Sequence, residues 1–308
     1  MYAISIDSGG TKVVGAVVDE KGKILTKARH EIPVRNGDYL IDVFRDIINR
    51  YSSDYPIDVV SIGGNGRIDP VRGIILNCGV YQNWQGRHLR EELQQTCRLP
   101  VSVNNDCYCA IKGELWQGAA REYSVVVGII IGTGLGGAMA DHGRFWHGAR
   151  FGAGEIGHMI LRPDGLPCYC GQKGCVERYV SGTALWNAYN RAVGEEQLSS
   201  GYEFFERYNG GDATARQVLS TFLDDLSVVM ANISNLCDPD AILIGGGISE
   251  TKEVWAQELE NRYRHQVGDC MQKTKIVYAS MGNDAALLGA AKFGFELLEH
   301  LSSEEGQK

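Results

Sequence analysis

From His158 the chain runs through nine residues to Cys168-Tyr169-Cys170 and, after four more, to Cys175. Three thiols and one imidazole are the ligand set of a four-coordinate structural zinc site. Gly165, Pro167, Gly171 and Gly174 around them describe a tight knuckle, neither helix nor strand. A buried set of small apolar thiols and a redox pair are the other readings, and the crowding favours Zn²⁺ over both. The remaining cysteines (78, 97, 107, 109, 237 and 270) read as packing residues. Reduced thiols of this kind point to a cytoplasmic protein. Glu155 and Glu177 flank the cluster closely. A metal would lock the loop, fix both carboxylates and leave the second imidazole nitrogen facing a ligand, an arrangement suited to vicinal sugar hydroxyls. Solvated surface glutamates are the plainer alternative.

Two glycine turns could cradle phosphate. Ser8-Gly9-Gly10-Thr11-Lys12 offers backbone N–H groups, a hydroxyl and an ammonium, and glycine lets the backbone approach an anion. Asp7, just before it, could hold hydrated Mg²⁺. An incidental Asp on a simple hairpin turn remains open at this point. Gly132-Thr133-Gly134-Leu135-Gly136-Gly137 formally matches the dinucleotide motif G-x-G-x-x-G, with Glu155 near the place of a ribose-binding acid. That motif requires a helix next. Ala138–Ala140, a turn at Asp141–Gly143 and then Arg144-Phe145-Trp146 read as a hairpin instead, so a second phosphate turn fits better.

The elements that must carry these residues repeat in order. A strand–glycine turn–strand run occurs at Ala3–Asp19 and again at Val125–Asp141. An apolar run ending in paired glycines occurs at Val59–Gly64 and at Ala241–Gly247. Asn-Asp before a helical run occurs at Asn105-Asp106 and Asn283-Asp284, where either side chain can cap exposed backbone N–H groups. The order predicts two similar α/β halves, with their turns on opposite walls of one cleft. The stripes Leu40–Tyr51 and Val218–Ile233 predict core helices. The expected division is 1–118 plus 291–308 against 119–290, with a polar tail after Leu301.

At 308 residues the chain is long enough for two domains. A net charge of −8 argues against nucleic acid as partner, since that affinity rests on Lys and Arg neutralising phosphates. The longest apolar run, Val125–Ile131, is far below the roughly 20 residues of a membrane span, so no membrane partner is expected.

Together, Asp7–Lys12, Gly132–Gly137, Gly154-Glu155-Ile156-Gly157-His158 and Cys168-x-Cys170-Gly171-x-x-Gly174-Cys175-x-Glu177 resemble the ROK family (repressor, open reading frame, kinase) over nearly the whole chain. The stretch from Gly132 to Leu185 is especially similar to its glucokinases and its N-acetylmannosamine and N-acetylglucosamine kinases. The resemblance implies an α/β, actin/hexokinase-like (ribonuclease H-like) ATPase fold, with ATP and sugar in a cleft between two lobes. It implies Asp106 as catalytic base, Asn105, Glu155, His158 and Glu177 as sugar contacts, and His158, Cys168, Cys170 and Cys175 as zinc ligands. Gly245-Gly246-Gly247 becomes the adenosine-side loop, and a homodimer is expected. An N-terminal DNA-binding segment would mark a regulator of the same family, and with the first phosphate turn at residue 8 none is expected. Fructokinase, β-glucoside kinase and a non-catalytic sugar-responsive regulator are the alternatives. Three positions depart from the family pattern: Asn65 for proline, Asn104 for glutamate, and Cys107 for a smaller residue. Asn65 bears on the sugar pocket.

Overall fold

Both strand–glycine–strand runs form antiparallel hairpins in the computed structural model, which describes residues 1–305. The first unit opens with β1 (Tyr2–Ser8), β2 (Lys12–Asp19) and β3 (Ile24–Glu31). Then come α1 (Gly37–Asp54), β4 (Val59–Gly64), β5 (Arg67–Asp69), β6 (Ile74–Asn77), α2 (Leu89–Cys97), β7 (Val101–Asn105) and α3 (Asp106–Trp116). The second unit contributes β8 (Val125–Ile131), β9 (Leu135–Asp141), β10 (Arg144–Phe145), α4 (Gly182–Val193), α5 (Gly201–Asn209) and α6 (Ala213–Cys237). β11 (Ala241–Gly245), α7 (Ala256–Gln266) and β12 (Lys275–Tyr278) complete it, and α8 (Ala285–Glu305) returns to the first unit.

The repeat is visible in the pairing. One five-stranded sheet runs β3-β2-β1-β4-β7 and the other β10-β9-β8-β11-β12. In each, a meander of three antiparallel strands is extended by two parallel ones. β1 and β8 are buried along most of their length on both faces, which is why they read as continuous apolar runs rather than alternating ones. The stripe Leu40–Tyr51 is the buried face of α1, whose N-cap Asn36 accepts from the amides of Asp38 and Tyr39. The Val218–Ile233 stripe lies on α6 and packs into the second core.

Several expectations change. β9 begins at Leu135, so Gly136 and Gly137 pair with Ile130 and Ile129 within the sheet and are not part of the turn. A Cβ on Gly137 would stand 2.6 Å from the Ile156 side chain, so its small size serves close packing. The units are Met1–Arg121, His147–Gly152 and Asn283–Lys308 against Glu122–Trp146 and Ala153–Gly282. The reason is local: α8 crosses α3 closely enough that a Cβ on Gly113 would meet the Ala285 carbonyl at 2.1 Å, and His147 stacks on Tyr108 of α3 at 5.0 Å. The polar stretch after Leu301 continues α8 to Glu305, and residues 306–308 lie outside the described residues. Cys270, expected to pack, is exposed.

Candidate functional site

In the first unit the chain leaves β7 at Asn105 and enters α3 at Asp106. The Asn105 carboxamide oxygen accepts from the amides of Cys107 and Tyr108 at 2.9 and 3.2 Å, and its Nδ2 donates to the Gly66 carbonyl at 2.9 Å. It therefore caps the helix and ties it to the loop after β4. Asp106 Oδ1 accepts from the Cys107 amide at 2.8 Å, and Oδ2 accepts from Asn65 Nδ2 at 2.6 Å. Burial raises the Asp106 pKa, opposed by hydrogen bonds from Cys107 and Asn65. The carbonyl oxygen of the Asn65 side chain is buried without a partner. Asn104 turns into the sheet and donates to Ser102 Oγ at 3.0 Å, so it takes no part in this cluster.

Asp7 stands at the end of β1, where burial first and the charge of Asp106 second push its pKa up to about 7, against the pull of Lys12. Two carboxylates close enough for the charge of one to raise the other are an environment suited to a hard divalent cation with oxygen ligands. The adjoining turn is closed by the Gly9 amide donating to the Lys12 carbonyl at 2.9 Å. The Tyr81 hydroxyl donates to the Gly9 carbonyl and pins the turn from outside.

In the second unit, the Gly132 amide donates to the Gly134 carbonyl at 2.9 Å, leaving Thr133 exposed at the tip. The first amide of α4, that of Gly182, donates to the Gly132 carbonyl at 2.8 Å. Glu177 Oε2 accepts from the Leu135 amide at 2.9 Å, directly beneath the turn. Gly246, with φ +86°, lies so close to β8 that a Cβ would be 2.5 Å from the Ile131 carbonyl oxygen; only glycine fits there. Gly245 ends β11 and Gly247 opens a 3₁₀ run to Val254.

Beside this turn the sulfur–imidazole cluster is assembled. Ligand atoms of His158, Cys168, Cys170 and Cys175 all lie within 4.8 Å of one another. His158 Nδ1 is 3.8 Å from Cys168 Sγ, and Cys170 Sγ is 3.6 Å from Cys175 Sγ. A tetrahedral zinc with bonds of about 2.3 Å has sulfur–sulfur edges of roughly 3.8 Å, so the spacing fits. Burial, then hydrogen bonds with Cys170 and Cys168, push the Cys175 thiol up to about 12. Three sulfurs this close cannot all ionise without a cation among them. The other nitrogen, His158 Nε2, lies 3.5 Å from the Tyr169 hydroxyl, and Glu155 is exposed at the start of the same 3₁₀ turn.

A model of the ROK family matches residues 3–294. The chain belongs to the ROK family. It is 31 % identical to a glucokinase of Thermotoga maritima over 94 % of this chain and 95 % of that one. It is 28 % identical to an N-acetyl-D-glucosamine kinase of Vibrio atlanticus, covering 92 % and 97 %. Among solved structures, the ROK family glucokinase of Streptomyces griseus in complex with glucose and AMPPNP matches with a TM-score of 0.84 and 29 % identity, over 96 % of this chain and 100 % of that one. The fold is the actin/hexokinase-like one.

In this ROK chain the motif residues of each unit gather as two separate groups. Asp7, Gly9, Gly10, Thr11, Lys12, Asn65, Asn105 and Asp106 belong to the first unit. Gly132–Gly134, Glu155, His158, Glu177, the three cysteines and Gly245–Gly247 belong to the second. Sequence reasoning missed Tyr81, whose contact spans 72 residues and has no motif. It also passed over Tyr169, although its place between two ligand cysteines was a signal. Burial first, then the charges of Glu177, Cys168 and Glu155, raise the Tyr169 pKa, so both carboxylates bear on that phenol.

Proposed function

We propose that this protein transfers the γ-phosphoryl group of ATP to a hydroxyl of a free hexose or N-acetylhexosamine. The observation that carries the reading is the Asp106 carboxylate, partly buried at a helix start and held at both oxygens by amide donors. Asp106 accepts the proton of the attacking hydroxyl as the new oxygen–phosphorus bond forms and the bond to the ADP oxygen breaks. The two hydrogen bonds fix the carboxylate, so its proton affinity and its direction are set before substrate arrives. Gly9, Gly10, Thr11 and Lys12, with Gly132–Gly134, receive the phosphates; Gly245–Gly247 border the adenosine. Asn65, Asn105, Glu155, His158 and Glu177 contact the sugar, Asn105 through its remaining Nδ2 hydrogen.

Asp7 would hold Mg²⁺, which neutralises phosphate charge when bound. Zn²⁺ at His158, Cys168, Cys170 and Cys175 would brace the loop that carries Glu155 and Glu177. The thiols stay reduced in the cytoplasm, and the protein acts as a homodimer. No helix among the described residues is long and apolar enough to cross a membrane.

An ADP-release assay across glucose, fructose, mannose, β-glucosides and the N-acetylhexosamines tests the activity. Turnover on none of them removes the kinase reading, and preference for a β-glucoside, which is not a free sugar, removes the substrate class. Metal analysis is expected to find about one zinc per chain, lost in Cys175→Ser with a higher sugar KM. Metal-free protein with full activity would refute the zinc assignment.

A further inference from the structure

A cavity of about 770 Å³ lies within the second unit, behind the cysteine loop. That volume is in the range of small-molecule sites, roughly 300–1,000 Å³. Its floor is apolar, with Leu166, Tyr179, Leu185, Val218 and Phe222 drawn from the loop, the 3₁₀ turn Val176–Arg178 and its end, α4 and α6. Three arginines border it: Arg162, Arg178 and Arg191.

These arginines differ in what they touch. Arg162 Nη2 donates to both oxygens of Asp225 at 2.8 Å and its guanidinium lies 4.5 Å above the Tyr179 ring. That charge is matched. Arg178 is half-buried, and its guanidinium has no ion pair or hydrogen bond among the described residues; its Nε is buried and unsatisfied. Arg191 is exposed at the rim, and the other acid bordering the space, Asp164, is also exposed and contacts neither. A half-buried guanidinium in a cavity with a greasy floor favours an anion, because the anion offsets an unmatched charge and satisfies fixed N–H donors. Arg178 directly follows Glu177 in the chain, so one short turn serves the proposed sugar site with one residue and this cavity with the next.

We infer that this cavity is a second binding site, for a small organic anion with one carboxylate or phosphate group on an apolar body. The anionic group pairs with Arg178, with Arg191 adding long-range attraction, and the body packs on Leu185, Val218 and Phe222.

Phenyl phosphate and benzoate are the probes, titrated calorimetrically into the full-length protein with and without saturating magnesium ADP. The expected result is a single site that persists with ADP and is absent for benzyl alcohol. Arg178→Gln is expected to weaken the anions about tenfold, the loss of a charge-assisted hydrogen-bonded pair. Ala188→Phe, on the α4 wall, narrows the space without touching a charge and weakens both probes as well. Thermal unfolding of each variant checks that it folds. The inference falls if no heat is seen, if the heat vanishes with ADP, or if both folded variants bind like wild type. None of these readouts depends on kinase turnover.

Discussion

Asn105-Asp106 and Asn283-Asp284 are the same dipeptide before a helix, and both helices belong to the first unit. Asp106 is partly buried, held by the amides of Cys107 and Asn65, and raised in pKa. Asp284 instead meets Lys27 of β3 at 2.7 Å, in an ion pair whose side chains are 52 % and 35 % exposed. One corner holds the proposed base between amide donors; the other has its charge matched at the surface. The difference comes from neighbours, not from the dipeptide. Asp106 has an amide donor and a second carboxylate beside it, whereas Asp284 has an ammonium.

The comparison can be tested in order of expected effect. Asp106→Asn is expected to lower kcat by about 10²–10⁴, the usual contribution of a general base, while sugar binding measured by calorimetry persists. Retained turnover would make the two corners equivalent and remove the proposed base. Asn65→Ala follows, with kcat falling roughly tenfold as the carboxylate loses its clamp. Because the Asn65 hydrogen bond lowers the Asp106 pKa, its removal raises that pKa, and the acidic limb of kcat/KM moves to higher pH. A limb that stays put or moves down would show that the amide does not tune the base.

Asp7 tests the neighbouring charge. Its folded pKa of about 7 lies above the ordinary 3.8, so the folded state holds a proton the unfolded chain has released. That stabilisation is complete below about pH 4 and is lost as pH rises through about 7. In metal- and nucleotide-free protein, Tm is therefore expected to fall across this window, and Asp7→Asn to flatten the fall; parallel curves would contradict the raised Asp7 pKa. The smallest effect belongs to Asp284→Asn. An exposed pair contributes about 0–1 kcal/mol, so stability falls by less than that and activity stays within about twofold. A large loss of turnover there would overturn the contrast.

Much of this was legible in the chain. Strand periodicity, glycine turns and N-caps act over a few residues, so the repeated order of strand, turn and Asn-Asp corner predicted two similar α/β halves. The sulfur ligands fall within eighteen residues of His158, a span short enough for spacing alone to indicate one cluster. The end of the second glycine turn was misplaced because glycine marks both turns and tight packing. Gly136 and Gly137 are in β9, where the close approach of Ile156, nineteen residues beyond Gly137, explains the missing side chain.

Family, repeat and the clustering of His158 with the three cysteines were thus determined by the sequence itself, through interactions local enough to leave a pattern. Only the tertiary structure decided that Asn65 clamps Asp106 across 41 residues, that Glu177 reaches the Leu135 amide across 42, and that Arg178 is left without a counter-charge. Such pairings depend on which surfaces the packed sheets and helices bring together, and a side chain carries no mark of the partner it will meet.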